Sequence, residues 1–227
     1  MSANEPFPPF RVSRQTAETR LTLGVRPGWS GPALLAVPNR ILSHLLDHWC
    51  KGAGVSLTLE DSDWSGSWQF DHVWCEDLGQ LVGRSAAAIH DHRQQTAGLA
   101  GRASRRSCMD DAESVVSVSF EGRGAVRWAV PAAADIDGWV DAWYEPGSSH
   151  ALAAYGTNLR QFIDGFAFGG AATVSIEVIR AGNLHHLYET IFRNLGDCVG
   201  AALGTAELRP GQTSGLAAVA RYVVEGL

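Results

Sequence analysis

The chain has 227 residues, 45% hydrophobic and 19% charged, enough to bury a real core in one large domain or two halves sharing an interface. Its formal net charge of −6 argues against nucleic acid or an anionic membrane as the main partner. The N-terminal MSANEPFPPF lacks the basic and apolar regions of a signal peptide, no apolar run is long enough for a membrane span, and the 4 cysteines form no C-x-x-C pair; a reduced, cytoplasmic chain is the expectation.

In chain order, residues 1–10 are Pro-rich and read as a loose arm. Arg20 to Val25 (RLTLGV) reads as a strand ending in the turn Pro27-Gly28, and Ile41 to Trp49 has apolar residues at helical spacing. Gly52-Ala53-Gly54 then leads into a strand, Val55 to Leu59 (VSLTL), and Asp61 to Ser67 reads as a polar turn. From Phe70 to Ala88 the apolar positions recur every three or four residues, which predicts a helix. Ser114 to Phe120 and Ala125 to Val130 are predicted strands around the turn Glu121-Gly122-Arg123-Gly124, and residues 131–150 form an excursion rich in aromatics. Phe162 to Phe168 is helical, Thr173 to Ile179 a strand, and His185 to Leu203 a final helix.

The order helix, strand, helix therefore occurs twice. HLLDHW from His44 lies over QFIDGF from Gln161, GAGVSLTLE over GAATVSIEV, and the helix from His72 over the helix from His185, with Glu76 over Glu189 and Gly83 over Gly200. The expected fold is α+β, with two pseudo-symmetric halves (11–113 and 114–227), each a β-sheet packed against helices in a two-layer sandwich.

The sharpest chemical signal is His185-His186-Leu187-Tyr188-Glu189. His185 and Glu189, at i and i+4, share a helix face and can grip one divalent cation, while His186 points about 100° away and can serve another centre. His72 and Glu76 repeat the spacing in the first half, with Val73 in the place of the second histidine. A lone histidine on a helix is more often structural than a ligand; recurrence in a duplicated half favours a metal. His48, His90, His92 and His150 have no counterpart in the repeat and are read as structural or solvent-exposed. Trp64, Trp68 and Trp74 read first as core residues, with a subunit interface or an altered pocket as the other reading.

Across residues 11–217 the chain resembles the imidazoleglycerol-phosphate dehydratases, more weakly in 26–38 and 131–157. The resemblance rests on Arg14-Gln15-Thr16-Ala17-Glu18-Thr19, Ser43-His44-Leu45-Leu46-Asp47, Asp71-His72-Val73-Trp74-Cys75-Glu76-Asp77, Met109-Asp110-Asp111-Ala112, Glu121-Gly122-Arg123 and Asn183 to Glu189. It implies a dehydratase of histidine biosynthesis using manganese, with His44, His72, Glu76, His185, His186 and Glu189 as ligands. It also implies Glu18, Asp110 and Glu189 as catalytic groups, and Arg102, Arg123 and Ser214 as contacts to a substrate phosphate. The implied partners are a phosphorylated or imidazole-like small molecule and further copies of the chain, in a homo-oligomeric cage built from trimers.

The departures are specific. Val73 and Gln161 stand where the pattern has ligand histidines, Ser43 replaces an Asp, Cys108 a Pro, and Gln212-Thr213-Ser214-Gly215 lacks the lysine of the C-terminal motif. If His44 joins His72, Glu76 and His186, both ligand losses fall on the other centre, and one firmly bound ion is expected instead of two. The reading is a carbon–oxygen lyase with an altered metal site, or a catalytically silent member acting as a binding or scaffold protein.

Overall fold

The computed structural model describes residues 7–29, 31–33, 39–63, 71–144 and 151–215; side chains at 61–63, 71, 74, 143, 144, 151 and 152 are outside the description. The first sheet has the order β1-β2-β3, from Phe10–Gln15, Arg20–Pro27 and Val55–Asp63, all antiparallel. The second has the order β4-β5-β9-β6, from Arg102–Met109, Ala112–Ser119, Thr173–Ala181 and Ala125–Ala129, with β6 parallel to β9. Four helices complete the halves: α1 (Arg40–Ala53), α2 (Asp71–Thr96), α3 (Gly156–Gly170) and α4 (Leu184–Ala202).

The duplication is visible in detail. Each half has a β-hairpin and then helix, strand and helix, with β6, β7 and β8 coming before the helix in the second, and the strand of that unit pairs with the second strand of the hairpin. The pairing is interrupted at matching places, between Thr22 and Leu23 in β2 and between Glu113 and Ser114 in β5. α1 and α3 both end in left-handed caps, at Gly54 (φ 68°) and Ala171 (φ 45°).

Each sheet lays its apolar face on the helices. Leu21, Leu23 and Val25 of β2 are buried in one half, and Val116 and Val118 of β5 with Val174, Ile176 and Val178 of β9 in the other. The helices pair across the halves, α1 with α4 and α2 with α3. Glycines set the approach. A Cβ on Gly83 would lie 2.1 Å from Phe166 O, and one on Gly196 2.4 Å from Trp49 O. Trp49 and Phe166 are equivalent under the superposition of α1 on α3. Gly83 therefore corresponds to Gly196, and the expected match to Gly200 is corrected by four residues, one helical turn.

Four strands escaped the sequence reading. β1 and β4 are edge strands with largely polar sequences (FRVSRQ and RASRRSCM), which hide the period-2 signal. The 131–150 excursion contains β7 (Trp139–Tyr144), which pairs with β8 (Ala151–Tyr155) as a hairpin against α3 and α4. Of the predicted turn from Asp61 to Ser67, Asp61 to Asp63 are strand, because β3 continues to Asp63, and the rest lies outside the described residues. Of the expected arm, residues 1–6 lie outside the described residues, as do Trp64, Trp68 and His150. Phe7 packs edge-on against Phe10 and His92, and Phe10 opens β1.

Burial pushes the thiols of Cys50 and Cys198 up to about 12, and Cys75 is buried, while Cys108 is exposed. Among the described residues, no helix is long and apolar enough to cross a membrane.

The helix crossings give a direct expectation. Gly83→Ala and Gly196→Ala each place a methyl group against backbone of the facing helix, and overpacking of this kind costs about 1–3 kcal/mol. Chemical denaturation is expected to show both variants destabilised, despite the better helix propensity of alanine.

Candidate metal centre

The close approach of α1 and α4 brings histidines of one helix over a carboxylate of the other. α4 begins at Leu184, where the Asn183 side chain accepts the His185 amide as a cap. One turn on, Glu189 is buried, 5% exposed. A buried carboxylate has to be answered by donors or a cation, and this one is answered on both oxygens. Its Oε2 lies 3.4 Å from His44 Nε2 and 3.7 Å from His185 Nε2. Its Oε1 lies 3.2 Å from His48 Nε2 and accepts from Arg193 at 2.6 Å.

His44, His185 and Glu189 each offer one donor atom, all within 4.8 Å of one another. Donors about 2.1 Å from a shared cation lie at most about 4.2 Å apart, so a small contraction would close this set on an ion. Two imidazoles and one carboxylate suit a first-row divalent metal. Among the described residues this is the one such group. The donor set fits the kind of metal that the sequence pattern implies.

His48 was not singled out by sequence. It sits one turn after His44 on α1, with the two rings edge to face at 4.9 Å, and it faces Glu189. Burial lowers its pKa, opposed by the charge of Glu189. The i, i+4 spacing of His44 and His48 was the available signal. His185 Nδ1 lies 3.1 Å from Asp141 Oδ2, a contact between residues 44 positions apart that no local pattern announces.

The other predicted residues are distributed as follows. His72 is exposed on the first turn of α2, and Glu76 accepts from Gln80 Nε2 at 3.1 Å. Gln161 occupies on α3 the place that His44 has on α1, so the α2–α3 counterpart lacks that imidazole. The sequence leaves open which centre His44 serves, and in the structure it stands with His185 and Glu189. The two replacements then no longer fall on one centre. Val73 stands in the His186 position of α2, and Gln161 removes a donor beside His72 and Glu76.

His186 turns away from the cluster to the β4–β5 turn, its Nδ1 3.1 Å from Asp111 Oδ1 and its Nε2 3.7 Å from Asp110 Oδ2. His186 and the Asn183 amide hold the Asp111 carboxyl below its ordinary range. Asp110 is in the left-handed region at φ 48°, which the two-residue turn requires. Glu18 is exposed in the matching β1–β2 turn, which Thr19 ties to α2 by donating to Asp77. Both hairpin turns therefore overhang the first turns of a histidine-bearing helix.

Arg102, Arg123 and Ser214 gather elsewhere. Arg102 opens β4 and lines a cavity of about 390 Å³ with Ser104, Ser119, Glu121 and Thr173. Arg123 lies 3.5 Å from Glu121, and the Ser214 amide donates to Ala100 O at 3.3 Å. The length of β4 separates this group from Asp110 by about 25 Å.

The family model described as imidazoleglycerol-phosphate dehydratase matches residues 38–199. An imidazoleglycerol-phosphate dehydratase of Albidiferax ferrireducens is 28% identical over 193 residues, covering 85% of each chain. That of Methylibium petroleiphilum is 28% identical over 201 residues, covering 88% of this chain and 90% of the relative. The crystal structure of the Staphylococcus aureus enzyme superimposes with a TM-score of 0.65 at 20% identity, over 87% of this chain and 99% of the other. The Pyrococcus furiosus structure, in complex with (S)-C348, gives 0.63 at 23% identity, over 90% and 99%. The last two likenesses concern the fold, while the matched span of 38–199 runs from α1 into α4 and takes in His44, His185 and Glu189. The chain belongs to the imidazoleglycerol-phosphate dehydratase family.

Proposed function

We propose that the chain is a metal-dependent carbon–oxygen lyase of the dehydratase type, with one firmly bound divalent cation, manganese by family resemblance, where that resemblance implies two. The observation that carries this reading is the cluster of His44, His185 and Glu189, whose donor atoms lie within 4.8 Å. Gln161 supports the reduced metal content, because an amide is a poorer ligand than imidazole for such a cation.

When bound, the cation would supply Lewis-acid stabilisation of charge developing on an imidazole-like ring or diol. The chain supplies the rest. Glu189 Oε1 is occupied by Arg193 and His48, which leaves Oε2 facing His44 and His185. Glu18 and Asp110, on exposed turns, are the carboxylates available to move a proton. His72, Glu76 and His186 are the remaining ligands of the family pattern and lie outside the cluster.

Arg102, Arg123 and Ser214 offer charge-assisted and hydroxyl hydrogen bonds to a phosphate. They lie about 25 Å along β4 from Asp110, so a small substrate that meets both groups takes them from different copies of the chain. This favours a homo-oligomer, in line with the trimer-based cage of the family pattern. The missing lysine near Ser214 weakens the phosphate grip and favours a substrate other than imidazoleglycerol phosphate. The replacements Val73 and Gln161 favour a second reading, a silent member that binds ligand without turnover.

Metal analysis of chain purified without chelator is expected to find one tightly held Mn²⁺ per chain, absent in His44→Ala. Two tightly held ions would overturn the altered site. Mn²⁺ at about 100 times its Kd is expected to stabilise the fold by about 2.7 kcal/mol, read as a raised melting temperature.

Turnover has its own test. A histidine auxotroph lacking the dehydratase is expected to stay unrescued by this chain. Imidazoleglycerol phosphate and its dephosphorylated analogue are then offered in vitro with Mn²⁺, and ketone formation is followed. Turnover of either that is lost in Glu189→Gln supports the lyase, whereas no turnover with Mn²⁺ bound supports the silent reading.

A further inference from the structure

The β7–β8 hairpin lies within residues 131–157, where the family resemblance is weak, yet it is built onto the helix that carries the metal centre. Its two roots are fixed to α4. Tyr188 Oη, next to Glu189 in sequence, lies 2.9 Å from Ile136 O and 3.0 Å from Gly156 O, so one hydroxyl ties together the chain entering and leaving the hairpin. The Gly156 amide donates to Gly138 O at 2.9 Å, and Arg160 binds both oxygens of Asp137 at 2.8 and 2.9 Å. A Cβ on Gly156 would lie 1.8 Å from Ile136 O, so the root closes only with glycine there.

Between these roots the ladder carries an irregularity. Trp139 pairs with Tyr155 and Asp141 with Ala154, leaving Val140 as the extra residue, 3% exposed. A bulge of this kind re-aims the side chains on either side of it. Here Val140 enters the core while Asp141 reaches back to α4. Asp141 Oδ2 accepts from His185 Nδ1 at 3.1 Å, and its Oδ1 accepts the Ala142 amide at 2.7 Å, so both oxygens are placed.

We propose that Asp141, delivered by the β7–β8 hairpin, is a positioning residue for the cation centre: it keeps the His185 proton on Nδ1 and turns the unprotonated Nε2 towards Glu189 and His44. The inference rests on the metal reading above for its functional consequence, although its geometry does not. A neutral imidazole with a carboxylate on Nδ1–H has its free electron pair fixed on Nε2, the nitrogen a cation needs. His185 Nε2 faces the cluster, 3.7 Å from Glu189 Oε2. The neighbouring His186 follows the same rule with Asp111 on its Nδ1. The sources differ. Asp111 comes from the β4–β5 turn of the duplicated half, and Asp141 from the hairpin.

The competing account is an ion pair that only fastens the hairpin to α4, in which case cation affinity would not depend on it. Calorimetric titration of the full chain with Mn²⁺ separates the two, using Asp141→Ala and Asp141→Asn with circular dichroism and oligomer size as controls. A positioning role predicts roughly 10–100-fold weaker Mn²⁺ binding in Asp141→Ala. It predicts a smaller loss in Asp141→Asn, which keeps an acceptor oxygen. Unchanged affinity in a folded Asp141→Ala overturns the proposal, and if that variant does not fold, unchanged affinity in Asp141→Asn does so.

If the wild-type chain takes up no Mn²⁺, the metal reading fails separately, and the ¹⁵N shifts of His185 decide the positioning claim. A wild-type Nδ1–H tautomer that gives way to Nε2–H or a mixture in the variant supports it. The same tautomer in both overturns it.

Discussion

A carboxylate buried between two helices is the constraint on which this site depends. Glu189, 5% exposed, would be costly to bury unanswered, and the fold answers it with His44 and His48 from α1 and with His185 and Arg193 from its own helix. That answer requires α1 and α4 to approach at backbone distance. Gly196 makes the approach possible by leaving Trp49 O unobstructed. The chemistry of the centre and the packing of the core are thus one arrangement, in which a side chain added at the crossing would separate the donors.

Duplication explains why there are two such crossings, and divergence explains why they differ. Gly83 against Phe166 repeats Gly196 against Trp49, so both helix pairs kept their close packing. The ligands did not persist equally. α1 and α4 hold His44, His185 and Glu189 as a cluster, whereas α3 presents Gln161 in the place of His44. Packing residues are constrained by the whole core, while a ligand can be lost at the expense of one ion.

Much of this was legible in the sequence, for identifiable reasons. The helices α1 and α4 carry strong apolar periodicity, and the i, i+4 spacing of His185 and Glu189 already named two of the three donors in the candidate cluster. Three things were not legible. β1 and β4 are polar edge strands whose pairing is fixed by neighbours and not by their own alternation. The equivalence of Gly83 and Gly196 depends on which carbonyl each faces, which a gapped superposition of sequences misplaced by one turn. His48 and Asp141 reach the centre through contacts across 141 and 44 positions, from α1 to Glu189 and from a hairpin to His185. For His48 the only local hint is its i, i+4 spacing from His44, and for Asp141 there is none. The allocation of His44 illustrates the same limit, since spacing offered it to either histidine-bearing helix and only the α1–α4 crossing assigns it a neighbour.

The central claim, that the cation sits between α1 and α4 and that the α2–α3 crossing has lost its equivalent, is tested most directly by anomalous diffraction from crystals grown with Mn²⁺. The account predicts a peak about 2.0–2.4 Å from His44 Nε2, His185 Nε2 and Glu189 Oε2, with none of comparable height beside Gln161. Two peaks of equal occupancy, or a single peak beside His72 and Glu76, would contradict it.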